Sequence, residues 1–256
     1  MIVKTEAVVL RAMKYRESSK IVSFYTKDFG MLSGIVKGAR RAKNPFGSSL
    51  EPMSHVSLIV YKKPNRELQT VTQCEMIHSC RRLSEDLEKM SVAMSMIELV
   101  SLVAHEEENL PLFLLLVKSL EDIDTTTGNP AIIGWYFHLR LMTILGFQPK
   151  FDRCGGCHQP LITAGRPLKF DVSKGAPFCE SCSSHSGSLV SVSSAVFDML
   201  SRLNSGEQIH HAQSRAFDAR MKEELESFLR TYLRFHIPGI RMLRSEKVFS
   251  QILTPA

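Results

Sequence analysis

Hydrophobic and polar positions alternate along the first third of the chain, with the period of two that is typical of β-strands. Turn residues such as Gly30 and Pro64 separate the alternating runs. The pattern predicts five short strands, at residues 5–13, 20–26, 31–38, 55–63 and 67–77. Five strands of this length and spacing are typical of a small closed barrel, either an OB-fold or an SH3-like barrel. Gly34, inside the third run, is predicted to form a bulge or bend that helps to close the barrel.

The pattern changes to a helical period after Arg81. Apolar residues recur at spacings of three and four from Leu83 onwards, and Ser84 is the predicted N-cap of the first helix. A second helix is predicted over residues 111–122. A third begins at Pro130 after the cap residue Asn129 and stops at Gly146. Two more are predicted at residues 194–203 and 216–236. The predicted fold class is therefore α+β and multidomain, with an N-terminal barrel and a helical C-terminal part.

Composition supports a globular protein with a sizeable core, since 44% of the residues are hydrophobic and 23% are charged. The longest apolar run, residues 110–117, is far shorter than the ~20 residues that a membrane span requires. Lys4, Glu6 and Arg11 interrupt the first apolar stretch, so no signal-peptide core is predicted. We therefore expect a cytoplasmic protein without a membrane partner, whose six cysteines are thiols or metal ligands.

Two Cys-x-x-Cys pairs indicate a metal site. Two residues separate the cysteines of each pair and 21 separate the pairs, which suits a ribbon that grips one tetrahedral ion. A redox dithiol and two disulfides are the alternatives. Four thiolates complete the shell without the nearby His158 and His185, so we expect one structural Zn²⁺. Its binding would supply folding energy on the order of 10 kcal/mol. The predicted ligands are Cys154, Cys157, Cys179 and Cys182.

Cys74 and Cys80 lie far from these pairs along the chain. We interpret both as inert, partly buried thiols.

Positive charge is concentrated at the N-terminus. Residues 1–82 contain 15 Lys+Arg against 6 Asp+Glu, and the remainder contains 17 against 20. A basic module with net charge +9 beside a body with net charge −3 favours a polyanionic partner. A basic surface that only confers solubility is the alternative.

The stretch "KGARRAKNPFG", residues 37–47, holds four positive charges within seven residues directly after the third predicted strand. Lysine and arginine neutralise phosphates without reading sequence, and OB-folds bind nucleic acid between charged loops. Gly38 permits close backbone approach, and Phe46 is a candidate for base stacking, with burial in the barrel as the alternative, as for Phe24, Tyr25 and Phe29. The candidate interface comprises Lys37, Gly38, Arg40, Arg41, Lys43 and Phe46, with secondary charges at Arg11, Lys14, Arg16, Lys20, Lys62, Lys63 and Arg66.

A second basic group lies near the C-terminus. It would hold a second strand or an acidic partner tail, and a solvent-facing amphipathic helix with a tail is the equal alternative. Its members are Arg230, Arg234, Arg241, Arg244 and Lys247.

Catalytic motifs are absent from the sequence. It contains no Walker loop, no HExxH and no nucleophile elbow, and no Asp/Glu cluster suits two catalytic metals. We therefore expect a protein that is not an enzyme. A zinc-dependent hydrolase would require an open metal position, which four thiolates do not leave.

The segments "YRESSKIVSFYTKDFG", "IVKGARRAK" and "LEP", followed by helices and the cysteine quartet, resemble the bacterial RecO family. The resemblance spans essentially the whole chain. It implies an OB-fold at residues 1–79, a helical domain at 80–150 and 186–256, and a zinc-binding insertion at 151–185. The family's basic loop maps onto Lys37, Arg40, Arg41 and Lys43.

The same resemblance implies a function. Members of the family are not enzymes; they bind single- and double-stranded DNA and anneal complementary strands. With RecR, they help RecA to displace single-strand-binding protein, in the bacterial cytoplasm at the nucleoid. A zinc-ribbon and OB module that binds RNA is the competing interpretation.

Overall fold

The chain divides into two compact units in the computed structural model. The first combines Met1–Thr126 with Met242–Ala256, and the second is Thr127–Arg241. The structure describes residues 1–64, 66–161, 165–183, 188–206, 218–237, 239–240 and 243–253. Among them, no helix is long and apolar enough to cross a bilayer. The finer domain boundaries expected from the sequence stay a prediction.

The N-terminal residues form a closed five-stranded barrel. Its strands run β1 (Ile2–Tyr15), β2 (Ser19–Thr26), β3 (Gly30–Val36), β4 (His55–Tyr61) and β5 (Leu68–His78). They pair in the order β1-β2-β3-β5-β4, and β4 returns to β1. All pairings are antiparallel except β3 with β5. This is the OB-fold arrangement, and all five predicted strands are confirmed.

Alternation along the strands places one set of side chains inside the barrel. The interior includes Val9, Val22, Phe24, Leu32, Val36, Val56, Leu58, Val60 and Val71. Burying a side chain of this kind stabilises the fold by about 1.5–3 kcal/mol. The opposite set of positions on β1, β2 and β3 forms the outer face that the candidate interface uses.

The prediction of a bulge at Gly34 is wrong. Gly34 pairs with Val22 inside an uninterrupted register between β2 and β3. A Cβ at this position would lie 2.6 Å from Cγ2 of Val71, so close packing against β5 requires glycine here. The irregularities lie elsewhere, for example between Val9 and Arg11 on β1.

Seven α-helices and a 3-10 helix (Arg82–Glu85) are found in the described residues. The α-helices are α1 (Leu87–Val103), α2 (Leu110–Thr125), α3 (Pro130–Ile144), α4 (Glu180–Ser183), α5 (Ser194–Ser205), α6 (Ala219–His236) and α7 (Arg244–Leu253). Asn129 caps α3 as predicted. Ser84 is not the cap of α1, because it lies in the 3-10 helix. Asp86 accepts the hydrogen bonds of Glu88 N and Lys89 N instead.

Helix α7 belongs to the first unit and packs on α1. Glu98 of α1 caps its N-terminus. One carboxylate oxygen accepts from Arg244 N at 2.8 Å, and the other accepts from Ser245 N at 2.9 Å and Ser245 Oγ at 2.7 Å. The predicted tail is therefore a helix whose cap comes from a residue 146 positions earlier in the chain.

The second unit combines α3, α5 and α6 with a three-stranded sheet. The strands are β6 (Leu168–Asp171), β7 (Ala176–Phe178) and β8 (Leu189–Val192), in the order β7-β6-β8. An aromatic cluster joins the sheet to the helices: Phe170 lies 5.0 Å from Phe228 and Phe151 lies 5.5 Å from Phe197, between ring centroids. Edge-to-face pairs of this kind add stabilisation beyond burial alone.

Candidate nucleic-acid interface and metal centre

The basic loop leaves the barrel at the end of β3. Gly38 has φ +75°, a conformation that glycine adopts without strain, and Arg41 N donates to its carbonyl at 3.1 Å to close a turn. The four charged residues of this loop are all exposed: Lys37, Arg40, Arg41 and Lys43. The turn therefore presents their charge to solvent.

Arg40 fastens this loop to the β1–β2 turn. Its backbone N–H donates to Ser18 O at 3.0 Å, and its Nη1 donates to Arg16 O at 2.8 Å. Arg16 itself has φ +50°. The guanidinium therefore positions two loops as well as carrying charge, and the two basic segments lie side by side.

The strand register brings Lys14, Arg16 and Lys20 to the end of the barrel where the basic loop leaves β3. Lys14 pairs across from Lys20, and Lys20 pairs with Val36, the residue before the basic loop. Lys20 is occupied by Glu51 at 3.0 Å. Within the described residues, no carboxylate pairs with the other seven cations, which are Arg11, Lys14, Arg16, Lys37, Arg40, Arg41 and Lys43.

The outer face of β1, β2 and β3 lies beside these charges. Two cross-strand rows cross it: Arg11–Ser23–Ser33 and Met13–Ile21–Ile35. Met13 is 40% exposed, and the isoleucines are half-buried. The apolar row was not predicted from the sequence, because its members are brought together only by the register.

Lys62, Lys63 and Arg66 lie in the β4–β5 connection, at the opposite end of the barrel from the basic loop. Lys62 Nζ lies 4.2 Å from the ring centroid of Phe29, a cation–π contact. In this register the loops at the two ends flank the outer face, as they do in OB-folds that bind nucleic acid.

The aromatic candidates are mostly internal. Phe46 is 8% exposed and belongs to the barrel core, with its N–H donating to Asn44 Oδ1 at 2.7 Å. Phe24 and Tyr25 are fully buried, and Phe29 is half-buried. Burial, the alternative given for Phe46, is therefore what the structure shows.

The four predicted ligand cysteines come together. Their sulfur atoms all lie within 4.8 Å of one another, which suits one tetrahedral ion. The first pair sits on a tight turn in which Cys154 N donates to Gln159 O and His158 N donates to Cys154 O, both at 2.9 Å. A Cβ at Gly155 would lie 2.7 Å from the Phe178 ring, so the turn packs directly on β7.

Backbone donors favour ionised sulfur at Cys154, whereas the hydrogen bond with Cys179 raises the pKa of Cys182 to about 12. Burial opposes ionisation of Cys154, but backbone N–H groups of Cys179, Cys157 and Gly156 outweigh it and lower the pKa of this thiol to about 6. Cys179 N and Gly156 N both lie 3.4 Å from Cys154 Sγ. A thiolate is the form that binds a metal, so the residues present fit a metal ion.

Among the described residues, the cluster comprises the four cysteines without His158. His158 is exposed and in a left-handed conformation, with φ +60°. His185 lies outside the described residues.

The remaining two thiols are of the inert kind. Burial raises the pKa of both Cys74 and Cys80 to about 12. Their sulfurs lie 3.6 Å from Ser49 O and 3.5 Å from Met53 O, respectively.

The C-terminal basic group is divided between the two compact units. Arg230 and Arg234 lie on α6, whereas Arg244 and Lys247 lie on α7. Arg230 Nη1 lies 3.8 Å from Glu226 Oε2, and Arg241 lies outside the described residues.

These features define a class: a multidomain OB-fold protein with a helical part and a four-cysteine metal-binding ribbon. The profile described as Recombination protein O N terminal matches residues 1–80, and the one described as Recombination protein O C terminal matches residues 84–245. The chain belongs to the RecO family, and its role therefore lies in DNA repair and recombination.

Proteins named DNA repair protein RecO are similar over the whole chain. That of Pelodictyon phaeoclathratiforme is 34% identical over 262 residues, which cover 99% of each chain. That of Chlorobium limicola is 32% identical over 261 residues, covering 99% of this chain and all of the relative. That of Chloroherpeton thalassium is 30% identical over 259 residues with the same coverage.

Proposed function

We propose that this chain is a non-enzymatic recombination mediator. It binds single- and double-stranded DNA, anneals complementary strands, and with RecR helps to load RecA onto DNA coated by single-strand-binding protein, at the nucleoid of the bacterial cytoplasm. One observation carries the proposal. Six cations lie at one end of the barrel, Arg11 lies on the adjoining outer face, and no carboxylate of the described residues pairs with any of the seven.

The outer face would hold the strand between charged loops. Phosphates contact the basic loop and the β1–β2 turn, which neutralise them and release counterions. Bases lie against the apolar row Met13–Ile21–Ile35, a contact that tolerates any sequence. Annealing then follows from charge screening, since two strands whose phosphates are neutralised approach each other more readily than free strands.

The four-cysteine cluster would hold one Zn²⁺. When bound, the ion cross-links the turn of Cys154 and Cys157 to the segment of Cys179 and Cys182 and stabilises the ribbon. Four protein ligands leave no position for a substrate, so its role is structural.

Removal of two outward charges tests the interface. In Lys37→Ala/Arg41→Ala, we expect weaker binding of single-stranded DNA and slower annealing. We also expect a plot of log affinity against log salt whose slope is shallower by about 1.4, at about 0.7 per lost phosphate contact. Fluorescence anisotropy at several salt concentrations measures the slope. Arg40 is left in place because it also holds the β1–β2 turn.

The matched control removes two exposed charges elsewhere, in Lys169→Ala/Arg220→Ala. An equal loss of binding in both variants would mean that only the net charge of the protein matters. It would contradict an interface at the basic loop. Competition between matched RNA and single-stranded DNA tests the alternative, because a clear preference for RNA favours the RNA-binding module.

A further inference from the structure

A groove of about 510 Å³ lies in the second unit beside the Cys154 turn. We call it the knuckle groove. Its floor contains Phe151 and Ala176, and the end of α5 forms one wall with Ser201, Asn204 and Ser205. This volume falls in the range of sites that bind small molecules or single nucleotide units.

Three cations line the knuckle groove: Lys150, Arg153 and Lys174. They come from two segments that the backbone fastens together, since Lys150 N donates to Gly175 O at 2.8 Å. Lys174 follows a turn in which its N–H donates to Asp171 Oδ1 at 3.1 Å. All three residues are exposed. Lys174 Nζ lies 5.0 Å from the ring centroid of Phe178, and Arg153 Nη1 donates to His158 O at 3.4 Å. Neither contact neutralises the charge.

Little negative charge offsets these cations within the lining. Asp152 is the one carboxylate there, and its Oδ2 lies 3.6 Å from Arg153 Nε. Both side chains of this pair are more than half exposed, and exposed pairs of this kind contribute little. On the α5 wall, Ser205 Oγ donates to Arg202 O and Asn204 Nδ2 donates to Pro149 O. The Ser201 hydroxyl and the second amide hydrogen of Asn204 add neutral hydrogen-bond donors. The lining therefore has the chemistry of a site for phosphate groups.

The metal centre offers a competing explanation. Four thiolates around a divalent ion carry a net negative charge, which nearby cations would stabilise. The second unit has more positive charge than is needed to compensate the metal centre. Residues 127–241 contain 13 Lys+Arg against 9 Asp+Glu, whereas residues 83–126 contain 2 against 10. The C-terminal part thus has its own basic region, behind a strongly acidic stretch of chain.

We propose that the knuckle groove binds the phosphate backbone of a second nucleic-acid strand. The proposal deepens the function given above and rests on it, because annealing requires two strands on one protein. The barrel holds one strand, and Lys150, Arg153 and Lys174 hold the other.

Counting bound strands tests this inference. The probe is a deoxythymidine oligonucleotide of about eight nucleotides, long enough for one site but not for two. We expect two oligonucleotides per chain for the wild type in titration calorimetry, and one for Lys150→Gln/Lys174→Gln. Annealing of complementary strands should fall about tenfold in this variant. Lys169→Gln/Arg220→Gln is the control and should still bind two.

Metal content is measured for every variant, because a groove variant that loses its metal has lost the ribbon rather than the site. In that event Lys150→Gln alone, which lies outside the Cys154 turn, replaces the double variant. A groove variant that keeps its metal and binds as many oligonucleotides as the wild type overturns the inference.

Two further arms separate the sources of failure. If inorganic phosphate binds the groove but the oligonucleotide does not, the inference is also overturned. Failure of the barrel site has a different signature. If the barrel is not a binding site, Lys37→Ala/Arg41→Ala will bind as many oligonucleotides as the wild type. This outcome does not depend on the result for the groove variant.

Discussion

Gly30 shows how a single residue sets the first unit. Its φ is +63°, a conformation that glycine adopts readily in a turn, and a Cβ would overlap the carbonyl oxygens of His105 and Glu107. Met31 N donates to the same His105 carbonyl at 2.8 Å. The barrel and the α1–α2 connection therefore meet at a point where no side chain fits.

The Gly30→Ala variant should lose at least about 2 kcal/mol of unfolding free energy, since strain and a clash with backbone add together. Gly47→Ala is the matched control. It has φ +50° with nothing within 4 Å of a Cβ, so strain alone should cost about 1 kcal/mol. Urea unfolding measures both, and equal losses would contradict the clash at Gly30.

His138 should make the second unit sensitive to acid. Burial, and to a smaller extent Arg230, lowers its pKa from 6.5 to about 4. The unfolded chain therefore takes up the proton first. The stability from the neutral ring is complete above about pH 6.5 and is lost as the pH falls towards 4, by up to about 3 kcal/mol.

Fluorescence of Trp135, the single tryptophan, follows urea unfolding of this unit at each pH. His138→Leu should lose the dependence between pH 6.5 and 4, whereas His105→Leu, at an exposed position, should keep it. An unchanged profile in His138→Leu would show that other groups control the acid response.

At the scale of elements, the cap on α7 is the contact whose removal is most informative. Glu98→Ala leaves the first N–H groups of α7 without an acceptor and removes a negative charge from the positive end of its dipole. We expect a loss of about 1–2 kcal/mol, by analogy with N-cap removal.

Hydrogen exchange of the α7 amides measures the loss, which should be confined to that helix and the facing part of α1. Glu75→Ala, an exposed carboxylate on β5, should leave their protection unchanged. Unchanged protection in Glu98→Ala would mean that packing alone holds α7.

Local patterns predicted the elements whose signals lie within a few residues. The five strands follow from alternation, and α3 follows from Asn129 and Pro130. Helix α7 was missed because its cap comes from α1, and the cap of α1 was misplaced because Ser84 and Asp86 are both good cap residues. The role of Gly34 was misinterpreted, because it is the Val71 side chain on another strand that leaves no room for a Cβ there.

The candidate site was predictable to the same extent. The cysteine spacing predicted one metal site, and the four sulfur atoms do lie within 4.8 Å of one another. The attachment of the basic loop by Arg40 and the apolar row Met13–Ile21–Ile35 depend on strand register, which no short window of sequence contains.

At the scale of the whole molecule, metal removal should affect the two units differently. A thiol-competing chelator should make residues 151–183 sensitive to protease while the barrel stays resistant, because the ribbon's sheet strands are only three and four residues long. Bound metal is counted by atomic emission, with one ion per chain expected.

Cys157→Ser should reproduce the effect of the chelator without any reagent. Cys80→Ser, outside the cluster, is its control and should keep one ion per chain. Full protease resistance of Cys157→Ser would show that the ribbon folds on packing alone.

Glu98 and the helix that it caps are separated by 146 residues, so their contact closes a long loop of chain. Closing so long a loop costs on the order of 4 kcal/mol in chain entropy if everything between is unstructured, and much less if the intervening chain is folded. Anything that unfolds the chain between Glu98 and α7, including loss of the metal from the ribbon, should therefore weaken the attachment of α7 to α1.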